Sequence, residues 1–434
     1  LLEPIRRVLH GRPVLRKLIG NSAWQVADKV VRMGGGVLVS VYVARYLGPD
    51  DFGLFSFSLA LTALFTSFAA FGLPSVVVRD LVMRPLERPA LLASALLLRL
   101  LGGALAVILT LGAMVALRPG DWRSALVVLV MALSNLAQAW DVIDYDYQSR
   151  MEALPVVIAR NVSFVVCAAV RVCLVLAGAS LIWFAWALVL EAAIGAVLLV
   201  RRSRLDGRSI TIGAATREEL RRLTARSWPL IIAGLSVSVY MRVDQIMLGE
   251  MLGDADVGLF SAAVRISEAF YFFPMTVALS VAPALTATYT RSIEEYERRF
   301  LQITRLLLWL ALAVACVFAV FSRQIIQTLY GPRYLDAAAV LAIHAWAGAL
   351  VSLGVCGNMW LTNAGYFKFS MYQTLAGAAV NITMNLILIP RLGIIGAALA
   401  TCAGQFASVM LTTAVLPQTR RLFRLQLAAL LPRL

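Results

Sequence analysis

Three groups of ionisable side chains interrupt otherwise apolar runs in this 434-residue chain: Asp28, Lys29 and Arg32; Arg242 and Asp244; Arg265 and Glu268. A further arginine, Arg99, has no acid within four residues. Such groups offer two kinds of chemistry. A planar guanidinium presents paired N–H donors that fit phosphate oxygens, and a carboxylate kept from water can take up a proton or a small cation. Helical spacing sets Asn21, Gln25, Asp28, Lys29 and Arg32 on one face, and Ser261, Arg265 and Glu268 on another. Arg32, Arg99, Arg242 and Arg265, with Lys29, are therefore expected to bind an anionic group. Asp28, Asp244 and Glu268 are expected as sites for a coupling proton or cation. The plainer alternative is that Asp28 with Arg32, and Arg265 with Glu268, simply neutralise each other. Lys29, Arg45, Arg160, Arg171 and Arg305 lie nearer span ends, where long side chains reach the interface without any ligand. His344 is expected as a hydrogen-bonded core residue.

What makes these positions unusual is the solvent around their helices. Of the chain, 61% is hydrophobic and 15% charged, with a mean hydropathy of +0.82, whereas soluble domains run near about 45–50% and 25%. Residues 52–78 contain no Asp, Glu, Lys or Arg, a stretch longer than the roughly 20 residues a membrane crossing needs. The apolar runs do not alternate as barrel strands do. The expected fold class is an all-α integral membrane protein, and a water-soluble enzyme is excluded. In such a fold an ionisable side chain at mid-bilayer costs at least about 2.5–3.5 kcal/mol. At about 1.5 Å per residue, Arg32 and Arg99 would each lie deep in their spans. The five cysteines (Cys167, Cys173, Cys316, Cys356 and Cys402) fall inside apolar runs with no metal-ligand spacing, so they read as small buried hydrophobes and no metal or cofactor is expected.

Charged breaks divide the chain into twelve spans, the first near 22–46 and the last near 392–416. With both termini placed in the cytoplasm, 25 basic residues fall in cytoplasmic segments and five in outside loops. That is the asymmetry expected of a correct topology, and it accounts for the net charge of +15 without nucleic acid. The polar stretch 201–226, with Arg217, Glu218, Glu219, Arg221, Arg222 and Arg226 around Leu220 and Leu223, reads as a linker with an amphipathic helix drawn to anionic lipid headgroups. It separates a six-span lobe at 1–200 from a second at 227–416, with a basic cytoplasmic tail at 417–434. An internal repeat supports the division: 47–56 and 252–261 match at seven of ten positions with an offset of 205. Each copy follows the first span of its half. Halves of six spans keep one orientation, which implies a pseudo-two-fold axis along the membrane normal and a site at the repeat interface.

At these residues a family resemblance becomes specific. Arg242, Asp244, Gln245 and Gly249, then the 258–268 run, resemble the O-antigen and polysaccharide flippases (Wzx-type). So do Gly331 to Tyr334, Asn363 with Gly365, and the 381–398 segment with Asn385, Pro390, Gly393 and Gly396. Leu47, Gly48 and Gly53 fit as well. These flippases share the MOP superfamily with multidrug extruders and lipid II flippases. The resemblance implies two six-helix lobes around a central cavity that opens alternately to either side. It also implies an undecaprenyl-diphosphate-linked oligosaccharide as substrate, moved from the cytoplasmic to the periplasmic leaflet of a bacterial inner membrane. The cationic residues would then hold the diphosphate. Membrane lipids, and polysaccharide polymerase or chain-length proteins, are the implied partners.

Other classes fit less well. A multidrug exporter of the same fold would call for an acidic or aromatic cavity, and lipid II flippases usually carry two further spans. No outside loop holds an acid/base pair for a polymerase, and none of the three lysines stands in a Walker A context. The chain is therefore expected to be a transporter and not an enzyme. Coupling has two routes. The membrane potential favours outward movement of negative charge by about 2.3 kcal/mol per charge per 100 mV, and H+ or Na+ at Asp28, Asp244 or Glu268 is the other. Pro74, Pro229, Pro274 and Pro283 are candidate kinks for the motion.

Overall fold

The computed structural model describes residues 13–431, and all regular structure among them is helical. The chain opens with α1 (Pro13–Ala70), which is two helices joined at Gly48. Gly48 takes a left-handed φ of 76° and Pro49 follows it, so the ladder of backbone hydrogen bonds is broken there. Then come α2 (Leu73–Met83), α3 (Arg88–Leu117), α4 (Trp122–Ala137), α5 (Val142–Ser149), α6 (Ala153–Leu176) and α7 (Leu181–Leu205). After α8 (Arg217–Met251) follow α9 (Asp254–Ala269), α10 (Phe272–Tyr289), α11 (Ile293–Tyr330), α12 (Ala337–His344) and α13 (Ala347–Asn363). The last four are α14 (Phe367–Leu392), α15 (Ile394–Phe406), the short α16 (Thr412–Val415) and α17 (Arg420–Leu430).

Eleven stretches among the described residues are long and apolar enough to cross a membrane. The first, Val31–Met83, has 53 residues, about 80 Å of helix against a hydrocarbon core of about 30 Å. It therefore holds two crossings separated by the Gly48 break, and the twelve expected crossings are present. Two of the four prolines expected as kinks do not bend a helix interior. Pro74 and Pro274 stand in the first turns of α2 and α10, where no intrahelical donor is lost. Pro229 and Pro283 lie inside α8 and α10.

Contacts divide the chain into two compact units that are not its sequential halves. The N-terminal unit takes the residues up to Val39 and Leu61–Leu235. Its main core joins Leu73, Val77 and Leu81 of α2 to Leu91, Leu92 and Ala95 of α3, with Val142, Tyr145 and Leu223. Leu223 is fully buried there and Leu220 packs beside it. The apolar side of 217–226 is thus spent on the protein and is not offered to lipid headgroups as expected for a surface helix. Ion pairs fix the same segment: Arg84 bonds Asp80 at 2.7 Å and Glu219 at 2.8 Å, and Arg226 reaches Asp80 at 3.1 Å. The bonds from Glu219 and Asp80 hold the Arg84 pKa above its ordinary value although burial opposes them.

The C-terminal unit takes Ser40–Ala60 and everything from Ser236. Ser40–Ala60 belongs here because the two copies of the ten-residue repeat pack on each other. A Cβ on Gly53 would stand 1.6 Å from the Asp254 carbonyl oxygen, and one on Gly258 2.0 Å from that of Pro49. Positions 53 and 258, and 49 and 254, correspond in the repeat, so each copy offers its glycine to the other's backbone. Tyr334 adds a hydrogen bond from its hydroxyl to the Ala44 carbonyl at 2.7 Å. Residues 417–431, expected as a tail, include the helix α17, whose Leu422, Gln426 and Ala429 are buried.

Candidate functional site

In the C-terminal unit, α8 places Asp244 with only 6% of its surface exposed. A buried carboxylate needs donors, and the hairpin of α14 and α15 supplies them. Asn385 Nδ2 donates to one carboxylate oxygen and Thr401 Oγ1 to the other, each at 2.6 Å. The same Asn385 nitrogen lies 3.2 Å from Asn381 Oδ1. The hairpin can close this tightly because Gly377 and Gly404 face each other's carbonyls, with a Cβ on either falling within 3.1 Å. Asp244 also lines a pocket of about 20 Å³ together with Tyr240, Gln245, Glu268, Tyr271 and Thr401. That is room for one water-sized guest. Of the groups lining it, the Tyr271 hydroxyl is buried without a hydrogen-bond partner, and Gln245 brings an amide. Carboxylate, amide and hydroxyl oxygens around one small pocket are the donor set for a hard monovalent cation or a proton. Among the described residues no group of three or more His, Cys, Asp or Glu side chains could hold a metal ion.

The neighbouring charges are shared more widely than the sequence expectation. Glu268 lies 3.9 Å from Arg242, and Arg265 also acts on it electrostatically. Arg242 keeps 35% of its side chain exposed, and at that separation the pair is not a charge-assisted hydrogen bond. Arg265 donates to Ser40 Oγ and sits 5.9 Å over the Phe52 ring. His344 is buried, with Nδ1 2.7 Å from Ser267 Oγ and its ring edge-on to Phe260, the core histidine the sequence suggests.

The N-terminal unit holds the remaining expected residues. Asp28 is buried and accepts from Asn161 Nδ2 at 3.0 Å, with Arg32 Nε at 3.7 Å. Lys29 is exposed and lines a cleft with Asp28, Asp144, Gln148 and Arg160. Asn21 and Gln25 lie outside the residues whose side chains are described. Arg99 is the correction. It is 5% exposed, donates to the Tyr145 hydroxyl and to the Gln138 carbonyl at 2.7 Å, and has Asp141 at 3.7 Å. The acid it lacks along the chain comes from the short helical turn at 138–141, so Arg99 is enclosed in the packing, with its Nε buried and unpartnered. Arg160 and Arg171, expected to snorkel, are paired with Asp144 at 2.8 Å and Glu191 at 2.7 Å.

Sequence reasoning missed Asn161, Asn381, Asn385 and Thr401 as partners of the acids. Asn381 and Asn385 had a usable signal, since two amides four apart in an apolar helix share one face. Thr401 had none, because a threonine in a span ordinarily bonds its own helix, and here the Ala397 carbonyl at 3.0 Å competes with Asp244 for its one hydroxyl proton.

The family of polysaccharide biosynthesis proteins matches residues 18–288, well over half of the chain. The chain belongs to that family. A second family, MatE, matches residues 229–387. The polysaccharide biosynthesis match takes in every ionisable residue considered above from Asp28 to Glu268, and the MatE match takes in Asp244 with Asn381 and Asn385. Over 93% of its length the chain is 24% identical to the probable flippase AglR of Haloferax volcanii, covering 84% of that protein. It also matches two uncharacterised membrane proteins of Methanocaldococcus jannaschii, at 34% and 25% identity, but spans only 18% and 41% of their lengths. Among solved structures, an inward-facing multidrug resistance MATE transporter of the MOP superfamily aligns over 92% of this chain and 95% of its own, with a TM-score of 0.73 at 17% identity. The lipid II flippase MurJ aligns over 93% and 91%, with a TM-score of 0.70 at 13% identity. These likenesses establish the transporter fold for this member of the polysaccharide biosynthesis family.

Proposed function

We propose that this protein is a flippase that carries an undecaprenyl-diphosphate-linked oligosaccharide from the cytoplasmic to the outer leaflet by alternating access. It would sit in a bacterial inner membrane with its N-terminus and the segment that follows the twelfth span on the cytoplasmic side. The observation that carries the reading is Arg242, an arginine within a membrane span whose nearest acid stands 3.9 Å away and which keeps a third of its surface exposed. An arginine so placed has N–H groups to give to phosphate oxygens. Arg265, in the same unit, is the second cation assigned to the diphosphate. Arg32 and Lys29, exposed in the N-terminal unit, are assigned the same role, and Arg99 is not. The likeness to a probable flippase over 93% of the chain supports a flippase activity. Polysaccharide polymerase and chain-length proteins are the expected recipients of the product.

Asp244 is assigned to coupling. Its partners, Asn385 and Thr401, are neutral, so an ionised Asp244 gains from a bound Na+ or H+ that its hydrogen bonds do not replace. Glu268 and Asp28 are weaker candidates, each with an arginine at 3.9 and 3.7 Å.

The test is transport in proteoliposomes with two lipid-linked oligosaccharides, one with a diphosphate and one with a phosphate-free linkage. The expected result is transport of the first alone, lost in the Arg242→Ala, Arg265→Ala double variant at normal yield of folded protein. Equal transport of both lipids overturns the reading, and so does export of a cationic dye in place of either.

A further inference from the structure

The helix α17 is an amphipathic element that packs along α11, and the way it packs fixes where it sits in the bilayer. Its inner stripe, Leu422, Gln426 and Ala429, is buried, and Gln426 Oε1 accepts from Thr413 Oγ1 at 3.0 Å. Two further contacts set its direction. Arg421 is paired with Glu297 of α11, and Arg305 of α11 donates to the Ala428 carbonyl at 3.2 Å. Seven residues of α17 thus run beside eight of α11, about 10 Å against about 12 Å at the helical rise. The two helices are parallel. On the charge distribution, α11 starts at the basic face of the membrane, among Arg291, Arg298 and Arg299, and enters the apolar region near residue 302. The helix α17 therefore enters beside it.

The outward stripe of α17 agrees with that path. It reads Arg420, Arg424 and Leu427, with Leu431 just past the helix end, all exposed, the leucines at 41% and 59%. Charge stands at the end near Glu297, and apolar surface at the end near Arg305. From Arg424 to Leu430 is about 9 Å of helix, which fits within one leaflet's share, about 15 Å, of the hydrocarbon core.

We propose that α17 is a half-inserted helix that docks an anionic phospholipid of the leaflet it enters. Arg420 and Arg424 meet the lipid phosphate, and Leu427, Leu430 and Leu431 lie against its acyl chains. Leucines this exposed are costly in water and unremarkable in lipid. The charge complementarity selects phosphatidylglycerol-like headgroups over neutral ones, by about fivefold for each arginine near the surface.

Two measurements on the full chain test this. Nitroxide labels at Leu431→Cys and Arg420→Cys, in a background with Cys173, Cys316 and Cys402 replaced by serine, are read for collision with oxygen and with a water-soluble nickel chelate. The expected result in phosphatidylglycerol vesicles is oxygen dominance at 431 and nickel dominance at 420. Nickel dominance at both positions overturns the insertion. Second, phosphatidylglycerol added to detergent-purified protein should raise its Tm more than phosphatidylcholine does, and the R420Q/R424Q variant should lose most of that difference while keeping the wild-type Tm in phosphatidylcholine alone. An undiminished difference overturns the docking. So does a variant that loses binding of the diphosphate-linked oligosaccharide but keeps its phosphatidylglycerol preference, because the arginines would then serve the cargo.

Discussion

The two units differ in how they hold most of their charge inside the membrane, although Asp28 of the N-terminal unit, on the Asn161 amide with Arg32 at 3.7 Å, resembles Asp244. In the N-terminal unit Arg160 and Arg171 each have an acid at 2.7–2.8 Å, and Arg88 is paired with Asp146. Arg99 is buried on a tyrosine hydroxyl and a carbonyl. In the C-terminal unit a buried acid, Asp244, is held by an amide and a hydroxyl, and Arg242 stands off its acid at 3.9 Å. An ion pair at hydrogen-bond distance satisfies both partners and glues helices together. A carboxylate among neutral donors is solvated but not neutralised, and it keeps its affinity for a cation. The contrast separates charges that neutralise each other from the ones we propose serve a ligand.

The largest effect should come from breaking the C-terminal arrangement. Asp244→Asn places an amide among amides and a hydroxyl, which can still be satisfied, so the Tm should stay near the wild-type value. Transport should fall by more than about tenfold, the scale on which lost shell groups weaken ion sites. Measuring melting and transport on the same preparation decides it. A variant that transports normally would remove Asp244 from coupling and erase the contrast between the units.

In the N-terminal unit the same kind of change should do the reverse. Asp80 is buried and shared between Arg84 and Arg226, so Asp80→Ala leaves two cations short of a partner. Arg226 is half exposed, and water offsets part of the loss, which we place at about 2 kcal/mol, below the 3–5 kcal/mol of a fully buried pair. Denaturation in detergent should show the loss, while transport per folded molecule stays within about twofold. The Arg171 and Glu191 pair sharpens the point. Either Arg171→Met or Glu191→Leu alone should destabilise, and both together should recover to within about 1 kcal/mol of wild type, because a whole pair can be exchanged for apolar groups. A double variant as damaged as either single one would show that the pair does more than neutralise itself.

Much of this was legible in the sequence, and the limits are instructive. Span number, the break at Gly48 and the repeat at 47–56 and 252–261 all follow from apolar run lengths and glycine positions, which are local. The pairing of charges did not follow. Arg99 has no acid nearby along the chain, but Asp141 arrives from the short helical turn at 138–141. Asp28 and Arg32 are four apart and do approach, whereas Glu268, three from Arg265, also has Arg242 of another helix at 3.9 Å. A sequence shows which residues share a face of one helix and says little about what the next helix sets opposite. The packing of Ser40–Ala60 with the C-terminal residues was hidden for the same reason. The repeat was visible, but not that its two copies touch.

The smallest effect belongs to a charge outside the membrane, and it tests whether the N-terminal pattern extends to the polar ends. Asp206 follows α7 and accepts a hydrogen bond from the Tyr147 hydroxyl at 2.6 Å, with Arg202 also bonded to it. The Tyr147 bond, and then Arg202 and Arg208, hold the Asp206 carboxyl below the usual carboxylate range although burial opposes them. Because the folded-state value is the lower one, the contribution is complete above the unfolded pKa of about 3.9 and is lost as pH falls through the folded value. Asp206→Asn should therefore lower the Tm slightly at neutral pH and not at all at the acid end of the profile, so the wild-type and variant curves converge as pH drops. Parallel curves would show that Asp206 acts through packing alone, and the contrast between the units would then be confined to the membrane interior.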